Sequence, residues 1–106
     1  MSKNKELDKF PFISVIVPVY NGENIIERCI RSLLNQNYPA DKYEIIIVDN
    51  CSTDRTVEII KQYKVKYFEE EKRGPSSARN LGIQKAAGDI LIFIDADCQA
   101  IPDLLK

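Results

Sequence analysis

The sequence predicts an α/β domain of three layers, α/β/α and Rossmann-like, around a mostly parallel sheet. Three observations lead there. Short β-branched apolar runs alternate with helix-patterned segments in the order β-α-β-α-β-α-β. Alternation of that kind requires parallel strands joined by right-handed crossovers, with helices on both faces. The strand-like runs also end in polar residues, and open sheets of this class bind ligands beyond the carboxyl ends of their strands. The expected strand order is 3-2-1-4, with the first strand central and a crevice between the first and the fourth.

Each element follows from its residues. The N-terminal "MSKNKELDKF" is polar and has no apolar stretch of the signal-peptide kind, so residues 1–11 read as a flexible lead-in and 12–106 as the domain. "ISVIVPVY" (13–20) is a buried strand, with Pro18 placed at its end because proline cannot donate to a central ladder. "NGENIIERCIRSLLNQ" (21–36) carries Ile25, Ile26, Cys29, Ile30, Leu33 and Leu34 at helical spacing, with charged residues opposite. "NYPADKY" is a loop, and "EIIIVD" (44–49) is a second buried strand ending in Asp49. Ser52 or Thr53 is the expected cap of the next helix, which turns Val57, Ile60 and Tyr63 inward. "VKYF" (65–68) is a short third strand and "EEEKRG" a charged loop. "PSSARNLGIQKAAG" (75–88) is a helix with Pro75 near its start and Gly88 past its end. "ILIFID" (90–95) is a buried fourth strand, and "PDLLK" the first turn of another helix.

Composition narrows the chemistry. The chain has 106 residues, with 15 Lys plus Arg against 16 Asp plus Glu. A net charge of −1 makes no electrostatic case for nucleic acid or an anionic membrane. Hydrophobic residues at 44% suffice for a core, and no apolar run approaches the roughly 20 residues that span a bilayer. The three cysteines, Cys29, Cys51 and Cys98, are odd in number and widely spaced, which suits a reducing cytoplasm. Cys51 and Cys98 read as small packing residues. With no histidine in the chain, Ser-His-Asp and Cys-His catalysis are excluded, and a metal would be held by oxygen, favouring Mg²⁺ or Mn²⁺.

Tyr20, Asn21, Asp49, Asp95 and Asp97 therefore converge on one rim of the sheet. Asp95 and Asp97 either form a solvated turn or share a divalent cation. Two carboxylates fill few of the six positions that Mg²⁺ takes, so phosphate and water would supply the rest, and the ligand would be phosphorylated. Asp49 either complements the dipole of the following helix or accepts hydrogen bonds from a base or ribose. Arg73 and Arg79 are solvated unless they point at the rim, where a guanidinium can fork onto phosphate. Neither a dinucleotide-binding glycine pattern nor a P-loop occurs.

"ISVIVPVYNGENIIERCIRSLLNQ", "EIIIVDNCSTDRT" and "GPSSARNLGIQKAAGDILIFIDAD" together resemble glycosyltransferase family 2, in the right order and over nearly the whole chain. The resemblance implies a GT-A fold and binding of a nucleoside-diphosphate sugar, UDP-sugar favoured, by an inverting, metal-dependent enzyme. Pro18, Tyr20, Asn21 and Glu23 would line the nucleoside pocket, with Tyr20 near the base and Asp49 on the uracil. Arg79 and Asn80 would lie near the nucleotide sugar. Asp95 would sit close to ribose and metal, and Asp97 would hold Mn²⁺ or Mg²⁺ on the diphosphate. Asn50 and Cys51 replace a frequent Asp-Gly. Family members place the general base and the acceptor site beyond the Asp-x-Asp, whereas this chain stops at Lys106. No catalytic base is therefore matched, and the chain alone would bind donor without transferring sugar.

The acceptor, whether saccharide, lipid or protein, stays open. The exposed fourth-strand edge is expected to recruit a second copy. A binding-only module is the alternative. A haloacid-dehalogenase-type phosphohydrolase ranks behind both, because its Asp-x-Asp ends the first strand and not the fourth.

Overall fold

The computed structural model describes residues 10–106. The greater part of the 1–11 lead-in lies outside the described residues. At its end, the Phe10 ring meets Tyr38 edge-on at 5.4 Å between centroids, and the Tyr38 hydroxyl donates to the Pro11 carbonyl at 2.7 Å.

Four parallel strands, β1 (Ile13–Val19), β2 (Tyr43–Asp49), β3 (Lys66–Glu69) and β4 (Ile90–Phe93), form one sheet in the order β3-β2-β1-β4. Three helices connect them: α1 (Ile26–Leu34), α2 (Thr56–Ile60) and α3 (Pro75–Lys85). The fold class and strand order match the expectation from sequence.

The strand periodicity of two divides β1 and β2 between two cores. Ile13, Val15, Val17, Val19, Ile45 and Ile47 face α1 and α2, where Ile26, Cys29, Ile30, Leu33 and Ile60 meet them. Ile16, Ile46 and Val48 face α3 through Ala78. Gly82 brings α3 close to the sheet, since a side-chain carbon there would overlap Ile16. Gly74, at φ +121°, makes the sharp entry into α3.

Several local expectations change. α1 begins at Ile26 because Gly22 accepts the Ile25 and Ile26 amides in a turn, and Leu34, at the helix end, is exposed. Asp54 takes the capping role assigned to Ser52 or Thr53: its carboxylate accepts from the amide and the hydroxyl of Thr56. Val57 and Tyr63 are only half-buried. β4, by contrast, is the edge strand that the expected order requires, with Ile90 and Phe93 exposed. "PDLLK" forms turns and no helix. Among the described residues, no helix is long and apolar enough to cross a membrane.

Candidate functional site

The site begins with a missing donor. The Phe12 and Ile16 carbonyls accept from Asp89, Ile90 and Ile94, on the β4 side of β1, while the Val19 carbonyl accepts from Asn50 on the β2 side. Bonding sides alternate along a parallel strand, so the Pro18 nitrogen points toward β4. It has no hydrogen to offer the Ile94 carbonyl. The β1–β4 ladder therefore closes with the Ile94 amide bonding Ile16 at 3.0 Å, and the chain departs at Asp95. Pro18 lies inside the strand, one residue from its end, and its chemistry opens the crevice.

Asp49 ends β2 at 3% exposure. Its Oδ2 accepts from the Ser52 amide at 3.1 Å, while Oδ1 is buried and accepts nothing among the described residues. A buried carboxylate oxygen without a donor is costly, and that cost marks a position to be explained. Asp49, Cys51, Ser52, Glu69, Glu70 and Glu71 line a cavity of about 240 Å³. Nearby, the Tyr67 hydroxyl donates to Glu69 at 2.5 Å, and its pKa is pushed up by burial first, then by Glu69 and Asp49. The surroundings are acceptor-rich and negative, so they suit the N–H edge of a ligand.

Two loops are tied together in front of Asp49. The Asn21 amide donates to Ser52 Oγ at 2.8 Å, and Asn21 Oδ1 accepts from the Thr53 amide at 2.8 Å. The Gly22 amide donates to Thr56 Oγ1 at 2.8 Å, and the Glu23 amide to Asp54 Oδ2 at 3.3 Å. Asn21 and Cys51 adopt φ of 47° and 65°, a conformation non-glycine residues seldom take. The Asn21 carboxamide oxygen is thus engaged in holding the rim. Glu23 is half-buried beside it.

Asn50, which with Cys51 replaces the frequent Asp-Gly, ties the loop after β3 to the rim. Its Nδ2 donates to the Glu70 and Lys72 carbonyls at 3.0 and 2.8 Å, and its Oδ1 accepts from the Gly74 amide at 2.9 Å. That grip fixes the backbone on both sides of Arg73, whose guanidinium lies over the Tyr20 ring at 5.5 Å from its centroid. Tyr20 is 52% exposed and lines a second cavity of about 240 Å³ with Pro18, Asn50, Arg73, Gly74 and Ala78. Arg73, weighed at first as a loop charge, belongs to the rim. A side-chain amide at the end of the neighbouring strand gave no sequence signal for that placement.

Asp95 and Asp97 are exposed, and one carboxylate oxygen of each and the Cys98 sulfur lie within 4.8 Å of one another. The Cys98 amide donates to the Asp95 carbonyl at 3.0 Å, closing a turn that brings the three together. Cys98 is therefore a surface neighbour of the acids and not a packing residue. Below it, Cys29 is buried, with its Sγ 3.8 Å from the Asp95 carbonyl; burial first, then Cys98 and Asp97, push that thiol up to about 11. Two exposed carboxylates with room for further ligands fit a hard divalent cation that keeps positions for water and phosphate.

Asp49 ends β2 and Asp95 follows β4, each at the carboxyl end of its strand, with β1 between those strands. Arg79 and Asn80 are exposed on α3, and neither makes a hydrogen bond or ion pair among the described residues. The structure thus brings Pro18, Tyr20, Asn21, Glu23, Asp49, Asp95 and Asp97 to one rim and leaves Arg79 and Asn80 on the helix beside it.

Comparison with known proteins bears on this rim. The sequence profile of Glycosyl transferase family 2 matches residues 14–106. The glycosyltransferase AglE of Haloferax volcanii is 45% identical over 94 residues, which are 83% of this chain and 31% of AglE. The chain spans 13 to 36% of the length of the curated relatives it matches. Among solved structures, residues 1–349 of TarS from Staphylococcus aureus in complex with UDP superpose with a TM-score of 0.84 at 35% identity, covering 89% of this chain and 30% of that one. The mannosyltransferase PcManGT from Pyrobaculum calidifontis, in complex with GDP-Man and Mn²⁺, gives 0.78 at 35% identity over 82% of this chain and 28% of that one.

Proposed function

The chain belongs to glycosyltransferase family 2, with the sheet order of a GT-A fold, and on that footing we propose that residues 12–106 are the nucleotide-sugar-binding half of an inverting, metal-dependent glycosyltransferase. The observation that carries this reading is Asp49, a buried carboxylate with one oxygen facing no donor, on the same strand-end rim as Asp95 and Asp97. An N–H of a nucleobase is the partner such an oxygen lacks. UDP is the favoured nucleotide, supported by the UDP complex of TarS.

In this reading Tyr20 packs beside the base, and Asp49 accepts from its edge. Pro18, Asn21 and Glu23 shape the nucleoside pocket, and Arg79 and Asn80 reach the sugar-phosphate side. Asp95 and Asp97 hold Mn²⁺ or Mg²⁺, which when bound offsets charge on the leaving diphosphate. The Mn²⁺ in PcManGT supports that choice of ion class. The general base and the acceptor site, for a saccharide, lipid or protein, are supplied from outside residues 12–106. Without a positioned base, worth roughly 10² to 10⁴ in rate, these residues alone bind donor and transfer no sugar. Three free thiols suit a cytoplasmic setting. The unpaired edge of β4, with Ile90 and Phe93 exposed, favours self-association, which light scattering at tens of micromolar would reveal.

Calorimetry with UDP tests the assignment. Asp97→Ala removes the part of the binding that depends on Mn²⁺, and Asp49→Ala weakens binding with or without the ion. UDP affinity indifferent to both substitutions and to chelation of the metal would show the roles to be misplaced.

A further inference from the structure

Asp95 and Asp97 lie on a loop, and a loop holds ligand geometry only where neighbours fix it. The segment after them crosses back over the C-terminal half of α1 and is fastened there. Ser32 Oγ accepts from the Ala100 amide at 2.9 Å and donates to the Cys29 carbonyl at 2.7 Å. Gln36, 9% exposed, donates through Nε2 to the Ile101 carbonyl at 2.7 Å and to the Ser32 carbonyl at 3.2 Å. Its Oε1 accepts from the Leu105 amide at 3.1 Å. The Asn37 amide adds a bond to the Pro102 carbonyl at 2.7 Å, and Leu105 is buried against the core that α1 covers. Ahead of the acids, β1 holds Ile94 through Ile16. The Asp95–Asp97 turn is anchored at both ends.

We infer that Ser32 and Gln36 are positioning residues for the divalent cation, setting its affinity through the segment they grip without touching the ion. This rests on reading Asp95 and Asp97 as cation ligands. The chemistry favours a role beyond packing. α1 is already seated by Ile26, Cys29, Ile30 and Leu33, all fully buried. A buried glutamine is a costly way to fill space that an apolar side chain fills as well. What a carboxamide adds is direction, and three of its bonds go to the segment itself or to the Ser32 carbonyl beside it. Groups bonded directly to metal ligands are worth about 10- to 100-fold in metal affinity each, and a grip on the backbone beyond the ligands acts in the same sense at one remove, so at or below the lower end of that range.

The test titrates Mn²⁺ into the 106-residue chain with UDP present, following free Mn²⁺ by electron paramagnetic resonance, and measures UDP affinity separately in chelator. Ser32→Ala and Gln36→Ala are expected to weaken Mn²⁺ binding by a few-fold to about 10-fold, with metal-free UDP affinity unchanged. Ser32→Thr restores it, because a threonine hydroxyl makes both bonds. If Gln36→Ala does not fold, the Ser32 pair decides alone. Normal Mn²⁺ binding by Ser32→Ala, beside its loss in Asp97→Ala, overturns the inference and leaves the cation site standing. Equal losses of metal-free UDP and of Mn²⁺ affinity overturn it too, by showing a general structural defect. Normal Mn²⁺ binding by Asp97→Ala removes the cation site and the inference together.

Discussion

Glu44 and Asp49 sit at opposite ends of β2, both under a tenth exposed, and the sheet treats them in opposite ways. Glu44 Oε2 accepts from Ser14 Oγ at 2.5 Å and from the Ala87 amide at 2.8 Å, while Oε1 accepts from Lys66 Nζ at 2.6 Å. Ser14 Oγ in turn accepts from the Gly88 amide at 2.8 Å. Both carboxylate oxygens of Glu44 are partnered by the chain itself. Asp49 has one oxygen held by Ser52 and one with no donor among the described residues. The positive-φ residues Asn21 and Cys51 also gather at the Asp49 end, where backbone strain commonly accompanies a ligand site. Burial of a carboxylate therefore does not tell structure from function; how completely it is partnered does.

The largest effect should come from exchanging the two treatments. Glu44→Ala leaves the buried Ser14 hydroxyl without its acceptor, a loss of roughly 1–3 kcal/mol, while the Ala87 amide, on an exposed residue, turns to water and adds less. Lys66, whose side chain is 56% exposed, regains water and adds little. Asp49→Ala loses one hydrogen bond but removes an unpartnered buried oxygen, so stability should change by less than about 1 kcal/mol. Urea unfolding of both variants checks the contrast, with UDP affinity expected to move the other way: retained in Glu44→Ala where it stays folded, weakened in Asp49→Ala. Equal destabilisation by the two would erase the distinction between the ends.

Acid sharpens the comparison at smaller cost. Burial alone would push the Glu44 carboxyl up, but hydrogen bonds from Lys66, Ser14 and the Ala87 amide outweigh it and hold the group below the usual carboxylate range. A group whose folded value is depressed stabilises the fold above its unfolded value, near about pH 4.3 for glutamate, and that contribution fades as pH falls through the folded value. The Asp54 carboxyl is likewise held low: burial pushes it up, and Thr56 and the Glu23 amide more than offset that. Unaltered protein should therefore lose stability as pH drops below about 4.3, and Glu44→Gln should lose less over the same interval, with Asp54 common to both. Melting curves from pH 6 to about 3 measure it; parallel slopes would mean that Glu44 is not the group titrating.

The parts of this molecule that sequence made legible are those set by periodicity and by strand ends. The continuous apolar runs "ISVIVPV" and "EIIIVD" mark strands covered on both faces, and Asp49 with the Asp95–Asp97 pair marks the rim. The 3-2-1-4 order also makes β4 an edge, so the exposure of Ile90 and Phe93 follows from the order although "ILIFI" is as apolar as the central strands. Long-range side-chain bonds were silent. Asn50 reaching Gly74, Asp54 displacing Ser52 and Thr53 as the cap, and Gln36 holding Leu105 each join positions whose pairing no local pattern announces.

The smallest effect concerns the one atom that separates β1 from β4. Pro18→Ala supplies the amide hydrogen that the Ile94 carbonyl lacks, and alanine fits a strand without strain. The new bond is worth about 0.5–1.5 kcal/mol, while the freer unfolded chain offsets about 0.4–1 kcal/mol of it, so stability should barely move. The crevice should move more. Extending the ladder by one rung draws Ile94, and Asp95 behind it, toward β1 and narrows the rim between Tyr20 and the acids. UDP affinity should fall a few-fold while the residue-18 amide becomes protected from hydrogen exchange. Protection without loss of affinity would mean that the width of the crevice is set elsewhere, by the α1 grip on the segment beyond Asp97. Loss of affinity without protection would place Pro18 in direct contact with the nucleoside, as a wall of its pocket and not as the end of a ladder.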